Sequence, residues 1–353
     1  MRRLTSALAA VVAVVTISAC TNDNAGTAET GAPAASAGAT DSFPITVEHK
    51  YGTAEIKAEP KRVVVAGLTE QDTLLALGIV PVATTEWFGE FPGAVWPWAQ
   101  DELGSAAKPQ VLTYVDGIQY EKIAGLRPDL IIGLYSALTQ ADYDTLSKIA
   151  PVVAQPKGGI DYGISWQDTV RTVSKSVGRS AAGEKIVADV EGKLAAAKRP
   201  EFAGKSALIS TLYEGYYVYG SQDPRGRLLK DLGFTLPADL DALTGKEFGV
   251  SISKERTDLL DTDALVWLVP AYDADKAKIH ADPLYAKLDV KTQGREVFLE
   301  DGELLGGATS FITPLSLPFL LDGLVPQLAA AVDGDPNTPV VRASQPAPAP
   351  SAS

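Results

Sequence analysis

Apolar residues gather in short, unbroken runs separated by polar turns and helix-like spacings. Val63-Val64-Val65-Ala66-Gly67, Ile79-Val80-Pro81-Val82, Leu130-Ile131-Ile132, Ala207-Leu208-Ile209 and Leu265-Val266 show no alternation. A strand that is apolar on both sides is covered on both faces, as in a parallel sheet flanked by helices. Helices are predicted between the runs. Thr69 is a good N-cap, Leu74, Leu75 and Leu77 make an apolar face, and Gly78 stops the helix. In the second half, Leu228-Leu229-Lys230-Asp231-Leu232-Gly233 reads as helix and stop, followed by Phe234. One stretch occurs twice. Glu121 to Ile132 aligns without a gap on Glu255 to Val266, placing Leu126 on Leu260, Asp129 on Asp263 and Ile131-Ile132 on Leu265-Val266. Each copy predicts a short, acid-started helix, a polar turn and a buried strand. The shared order predicts two similar α/β lobes with parallel sheets.

Between the halves, Trp166, Val170, Val173 and Val177 share one helical face up to Gly178. Ser180 is then expected to cap a second helix with Ile186, Val187, Val190 and Leu194 on its apolar side, ending before Pro200. At ~1.5 Å per residue this is a rod of about 28 Å. It is the candidate connector, and a single stiff helix permits only modest lobe closure.

The ends read differently. Arg2-Arg3, the apolar run Leu4 to Ile17 and the small residues Ser18-Ala19 form a signal sequence too short for a comfortable membrane span. Ile17-Ser18-Ala19-Cys20 resembles a bacterial lipobox, which implies acylation of Cys20, the only cysteine in the chain. Whether Sec or Tat exports it stays open. The expected organisation is a signal peptide over 1–19, a lipidated flexible tether over 20–42 and an N-terminal lobe over 43–178. A connecting helix over 179–199, a C-terminal lobe over 200–332 and a disordered tail over 333–353 follow.

The chain has 353 residues, 46% of them hydrophobic, and a net charge of −13. Losing Arg2 and Arg3 with the leader leaves 29 basic against 44 acidic residues. So acidic a surface repels phosphate backbones, and nucleic acid is not an expected partner. One cysteine excludes internal disulfides. The two histidines, His49 and His280, have no partner at ligand spacing, and His49 is expected in solvent; no metal is expected to bind the protein directly. The chain lacks Gly-x-Ser-x-Gly and Gly-x-Gly-x-x-Gly motifs. Gly204-Lys205-Ser206 ends like a phosphate loop but precedes a strand instead of following one. No enzyme activity and no cofactor are expected, with an extracytoplasmic hydrolase and an inert surface lipoprotein or adhesin as the competing classes.

Several stretches resemble class III solute-binding proteins of ABC importers, and most of all their actinobacterial iron-siderophore branch. They are Pro60-Lys61-Arg62-Val63-Val64, Gln71-Asp72 with Leu75-Ala76-Leu77-Gly78, Tyr120 to Gly133 and Ser165-Trp166-Gln167-Asp168. Asp223-Pro224-Arg225-Gly226-Arg227-Leu228-Leu229 and Glu255 to Val266 complete the set. The resemblance covers most of residues 43–330. It implies two Rossmann-like α/β lobes joined by one long helix, with a ferric siderophore held between them, and an ABC permease as partner. It also implies that Glu121 and Glu255 dock on the permease, one per lobe. The expected location is the outer face of the cytoplasmic membrane, held there by the lipid alone, as a monomer.

Ligands of parallel α/β sheets sit beyond the carboxyl ends of the strands. Those ends are aromatic here: Trp87, Trp96 and Trp98 follow the second strand, and Tyr135 follows Ile131-Ile132. Tyr213, Tyr216 and Tyr217, then Arg225 and Arg227, follow Leu208-Ile209. Rings supply contact area and arginines supply paired donors for oxygen ligands around iron. These nine residues are the candidate ligand site. Haem is the alternative ligand, with Tyr213, Tyr216 or Tyr217 as axial ligand.

Overall fold

The computed structural model describes residues 40–342. The expected signal peptide, Cys20, all but the last residues of the tether and the end of the tail lie outside the described residues.

The chain enters through an antiparallel hairpin of β1 (Ile45–His49) and β2 (Gly52–Ile56), whose alternation turns Ile45, Val47, Ala54 and Ile56 into the first core. Five strands then build the first sheet: β3 (Val63–Val65), β4 (Ala83–Thr85), β5 (Gln110–Leu112), β6 (Leu130–Gly133) and β7 (Val152–Ala154). Their order is β5-β4-β3-β6-β7 and every pairing is parallel. The order reverses between β3 and β6, which is where an open α/β sheet leaves a crevice. The unbroken apolar runs of β3 and β6 are buried on both faces, as their patterning predicts.

The second sheet holds β8 (Ala207–Leu212), β9 (Tyr216–Tyr219), β10 (Gly249–Ile252), β11 (Ala264–Val269) and β12 (Glu296–Glu300). Its order is β10-β9-β8-β11-β12. Only β8, β11 and β12 run parallel; β9 is antiparallel to both its neighbours. The expectation of a parallel sheet is therefore corrected here. Directly after β8 the chain turns back at Tyr213–Gly215 as a hairpin, before the helix Pro224–Leu232. The acid-started segment after Ser253 is also a 3-10 turn, Lys254–Leu260, where the first copy has the α-helix Tyr120–Gly125.

The twice-occurring stretch owes its aspartates to a shared job. Asp129 precedes β6 and accepts from the backbone N–H groups of Lys61 and Arg62, both at 2.8 Å, just before β3. Asp263 precedes β11 and accepts from the N–H of Ser206 at 2.8 Å, just before β8. Val63 pairs with Leu130 and Ala207 with Ala264, so each carboxylate ties two neighbouring parallel strands at their first residues. The hydrogen bonds hold Asp263 below the usual carboxylate range despite the opposing effect of burial, and Lys205 adds to them.

Where a single connecting helix over 179–199 is expected, two consecutive helices lie at the junction, and the first of them reaches both cores, with Trp166 and Val170 in the second and Val173 and Val177 in the first. Ser165 caps the helix Trp166–Ser176, Gly178 turns the chain with φ of 71°, and the helix Ser180–Ala197 follows. Val187, Val190 and Leu194 pack with Trp166, Val170, Phe202 and Leu228 in the second core. Asp41 accepts from the Ser180 backbone N–H and hydroxyl, so the last residues assigned to the tether are fastened to this helix start. At the other end, Val340 packs on the second core. Arg342 lies 4.1 Å from the Tyr272 ring centroid and pairs with Glu300 and Glu303. Residues 333–342, assigned to the tail, thus run back along the lobe.

Candidate ligand-binding site

The loops leaving the five parallel strands of the first sheet converge on one cavity of about 350 Å³. Leu68 follows β3, Glu86 and Trp87 follow β4, Tyr114 follows β5, Tyr135 and Ser136 follow β6, and Tyr162 lies in the loop after β7. Arg225 and Phe248 close it from the second lobe. The rings touch in a chain: Trp87 to Tyr135 at 5.7 Å, Tyr135 to Tyr162 at 5.5 Å and Tyr162 to Phe248 at 6.1 Å between centroids. Such tilted and edge contacts hold large apolar faces in fixed positions.

A buried carboxylate sets the first wall. Glu70 opens the helix Glu70–Ala76 and accepts from the backbone N–H groups of Leu134 (2.5 Å), Tyr135 (2.9 Å) and Thr69 (3.0 Å). Burial pushes its pKa up, and these donors oppose that. Gly67 must be a glycine, because a Cβ there would lie 2.1 Å from Glu70 Oε1. The turn that carries Tyr135 and Ser136 is therefore fastened to the start of the first helix.

The second wall rests on a different device. Arg225, 4% exposed, donates from Nη2 to Asp223 Oδ2 at 3.0 Å, and its guanidinium lies 3.9 Å from the Tyr219 ring centroid. Asp223 also accepts from the Arg225 backbone N–H at 2.7 Å and caps the helix. Burial pushes the Asp223 pKa up and the Arg225 charge opposes it. Asp301, after β12, lies within electrostatic reach of Arg225 and is pushed up to about 6 by burial.

Of the nine candidate ligand residues, the structure places Trp87, Tyr135 and Arg225 on this cavity. Tyr217 stands one layer behind, 6.0 Å from Phe248. Trp96 and Trp98 are corrected. Trp96 is 1% exposed and stacks on Trp98 at 4.7 Å. Glycines make room for it, since a Cβ at Gly307 or Gly89 would lie 2.4 or 2.5 Å from its ring. Trp98 Nε1 donates to Asp72 at 2.8 Å, and the Thr313 hydroxyl donates to the same oxygen at 2.5 Å. These indoles pack between chain segments more than two hundred residues apart instead of facing a ligand. Arg227 is likewise off the cavity, donating to the carbonyls of Gly163 (2.6 Å) and Gln222. Tyr213 sits on the hairpin turn, 62% exposed. Tyr216 points to the other face of the sheet, against Trp267 and Tyr285, with its hydroxyl on Asp282. Of the three tyrosines weighed singly as a haem ligand, Tyr213 and Tyr217 meet edge to face at 6.2 Å and Tyr216 lies on the opposite face of the sheet.

Sequence reasoning missed Leu68, Glu86, Tyr114, Ser136, Tyr162 and Phe248. The strand-end rule that found Trp87 and Tyr135 also covers the first five; nothing in the pattern marks Phe248. Burial raises the pKa of the cavity phenols Tyr114, Tyr135 and Tyr162, so each favours the neutral hydroxyl. Among the described residues no group of three His, Cys, Asp or Glu side chains is placed to hold a metal. His49 is buried against Tyr143 at 5.1 Å, contrary to the expectation of solvent, and burial lowers its pKa. His280 pairs with Glu296 at 3.0 Å. Glu121 and Glu255 are both exposed.

A family model described as periplasmic binding protein matches residues 63–299. The chain is similar to the probable siderophore-binding lipoprotein YfiY of Bacillus subtilis, 31% identical over 252 residues, 66% of this chain and 70% of that one. Among solved structures it resembles a periplasmic solute binding protein from Mycobacterium smegmatis, with 36% identity and a TM-score of 0.72, covering 82% of this chain and 98% of that one. It also resembles PiaA of Streptococcus pneumoniae in complex with ferrichrome, with 28% identity and a TM-score of 0.73, covering 82% and 99%.

Proposed function

The chain belongs to the periplasmic binding protein family, and from that premise we propose that it captures a ferric siderophore outside the cell membrane and hands it to an ABC permease. One observation carries this reading. The cavity between the lobes is walled by five aromatic rings, three of them phenols, with one buried guanidinium, and its volume suits a bulky small molecule. The relatives support it: one is named a probable siderophore-binding lipoprotein, and another was solved with ferrichrome. Binding without turnover is the reading for this site, supported by a family and solved relatives described as binding proteins. Trp87 gives a direct signal. Titration with ferric siderophores, haemin and cobalamin should give saturable quenching by at least one ferric siderophore. Quenching by haemin alone, with a Soret shift, would replace this reading.

Cys20 carries the lipid that holds the protein at the membrane, the chain acts as a monomer, and the tether ahead of Asp41 gives it reach. Glu121 and Glu255 present one exposed carboxylate on each lobe to the permease, which fixes orientation. Glu121→Ala with Glu255→Ala should abolish uptake and leave chelate affinity as it was. Normal uptake in that double variant would remove the docking role. Intact mass of membrane-extracted protein tests the acyl group on Cys20.

A further inference from the structure

The charge inventory of the cavity narrows the ligand class, given the siderophore reading above. Arg225 is the only basic side chain among its lining residues. Its guanidinium is already matched by Asp223 at 3.0 Å and covered by the Tyr219 ring at 3.9 Å. Asp301 lies within electrostatic reach of the same guanidinium. Across the cavity stands Glu86, whose Oε1 accepts from the Glu90 N–H at 3.0 Å. On the lining itself one cation thus meets one carboxylate, Glu86, while Asp223, Asp301 and Arg227 stand behind it, on a chain whose net charge is −13. A ligand bearing several negative charges would be stripped of water here and meet one guanidinium whose charge Asp223 already balances, so most of that desolvation would go uncompensated. An uncharged complex faces no such cost. Aromatic faces and neutral donors, namely the hydroxyls of Tyr114, Tyr135, Tyr162 and Ser136, suit it instead. A single positive charge on the ligand would be welcomed by Glu86 and by the rings.

We propose that the cavity selects uncharged or singly positive ferric tris-hydroxamates over polyanionic ferric catecholates and citrates. Intrinsic fluorescence titration of the exported chain tests this with four probes: ferrichrome (uncharged), ferrioxamine B (positive), ferric enterobactin and ferric dicitrate (both anionic). At least one hydroxamate should bind tenfold or more tighter than either anion. Glu86→Gln and Asp301→Asn should each move the ratio of affinities several-fold toward ferric enterobactin, with circular dichroism confirming the fold. An anion bound as tightly as the better hydroxamate overturns the charge selection while leaving siderophore capture standing. Preference for the hydroxamate with no movement of the ratio in either variant also overturns the electrostatic basis. Failure of all four probes to bind counts against siderophore capture itself.

Discussion

The two lobes share a frame and differ in how they build the wall that meets the ligand. Both tie neighbouring strands with an aspartate one residue before the strand, Asp129 in one and Asp263 in the other. Beyond that the likeness ends. The first lobe sends loops from the carboxyl ends of all five parallel strands to the cavity and steadies the turn after β6 with Glu70, whose partners are backbone N–H groups. The second lobe inserts an antiparallel hairpin, reaches the cavity with Arg225 and Phe248, and steadies Arg225 with a second charge, Asp223. A carboxylate held by backbone donors fixes shape. One held by a guanidinium fixes shape and a charge that faces the ligand. The lobes thus share the device that sets strand register and differ in the device that meets the guest.

This contrast can be broken at several points. Glu70→Ala would orphan three buried backbone donors, each costing about 1–3 kcal/mol, so a loss of roughly 4 kcal/mol is expected by chemical denaturation. Ligand quenching should fall with it, because Tyr135 loses its mooring. Arg225→Ala would strand Asp223 in the interior and cost about 3 kcal/mol, together with loss of chelate binding. Arg225→Lys should recover much of the stability and little of the affinity, since lysine lacks the planar fork that spans Asp223 and Tyr219. If both variants bind as wild type, the second wall has been misassigned.

A third test uses the contact between the lobes. Asp72 takes hydrogen bonds from Trp98 and Thr313, and burial pushes its carboxyl from 3.8 up to about 6. The folded chain therefore holds a proton between those values that the unfolded chain has released. The stabilisation this brings is complete at low pH and lost as pH rises through about 6. Asp72→Asn keeps an acceptor for both donors and removes the buried charge, so it should stabilise by about 1–2 kcal/mol at neutral pH. That gain should vanish below about pH 4, near the ordinary carboxylate value. A gain independent of pH would argue against a buried ionised Asp72. The smallest effect expected is Trp87→Ala, which should weaken chelate binding about tenfold, near 1.4 kcal/mol. Trp96→Ala should instead lower stability, because that ring fills core space against Gly307.

The first lobe was legible in the sequence because its fold obeys a single rule. Unbroken apolar runs gave parallel strands, and parallel strands point their carboxyl ends at a crevice, which led to Trp87 and Tyr135. The same rule misled in the second lobe, where β8 runs straight into a reversed strand. The tyrosines that follow it alternate across a sheet, so Tyr216 falls on the face away from Tyr217 and Tyr219. Trp96 and Trp98 misled for another reason. Clustered indoles in a loop mark either a ligand or a joint, and one of the two glycines that admit Trp96 lies more than two hundred residues away at Gly307. Pattern along the chain carries no trace of such a pairing. The Asp129 and Asp263 match was visible as a repeat, but its meaning needed the hydrogen bonds.

Those paired aspartates have an engineering consequence. Both grip the foot of the scaffold, at the end opposite the mouth formed by the first sheet's loops. Whatever is grafted, lengthened or randomised at that mouth leaves the foot's alignment untouched. The protein is thus a ready chassis for biosensors, in which new guest preferences are installed at the rim while the footing keeps its geometry.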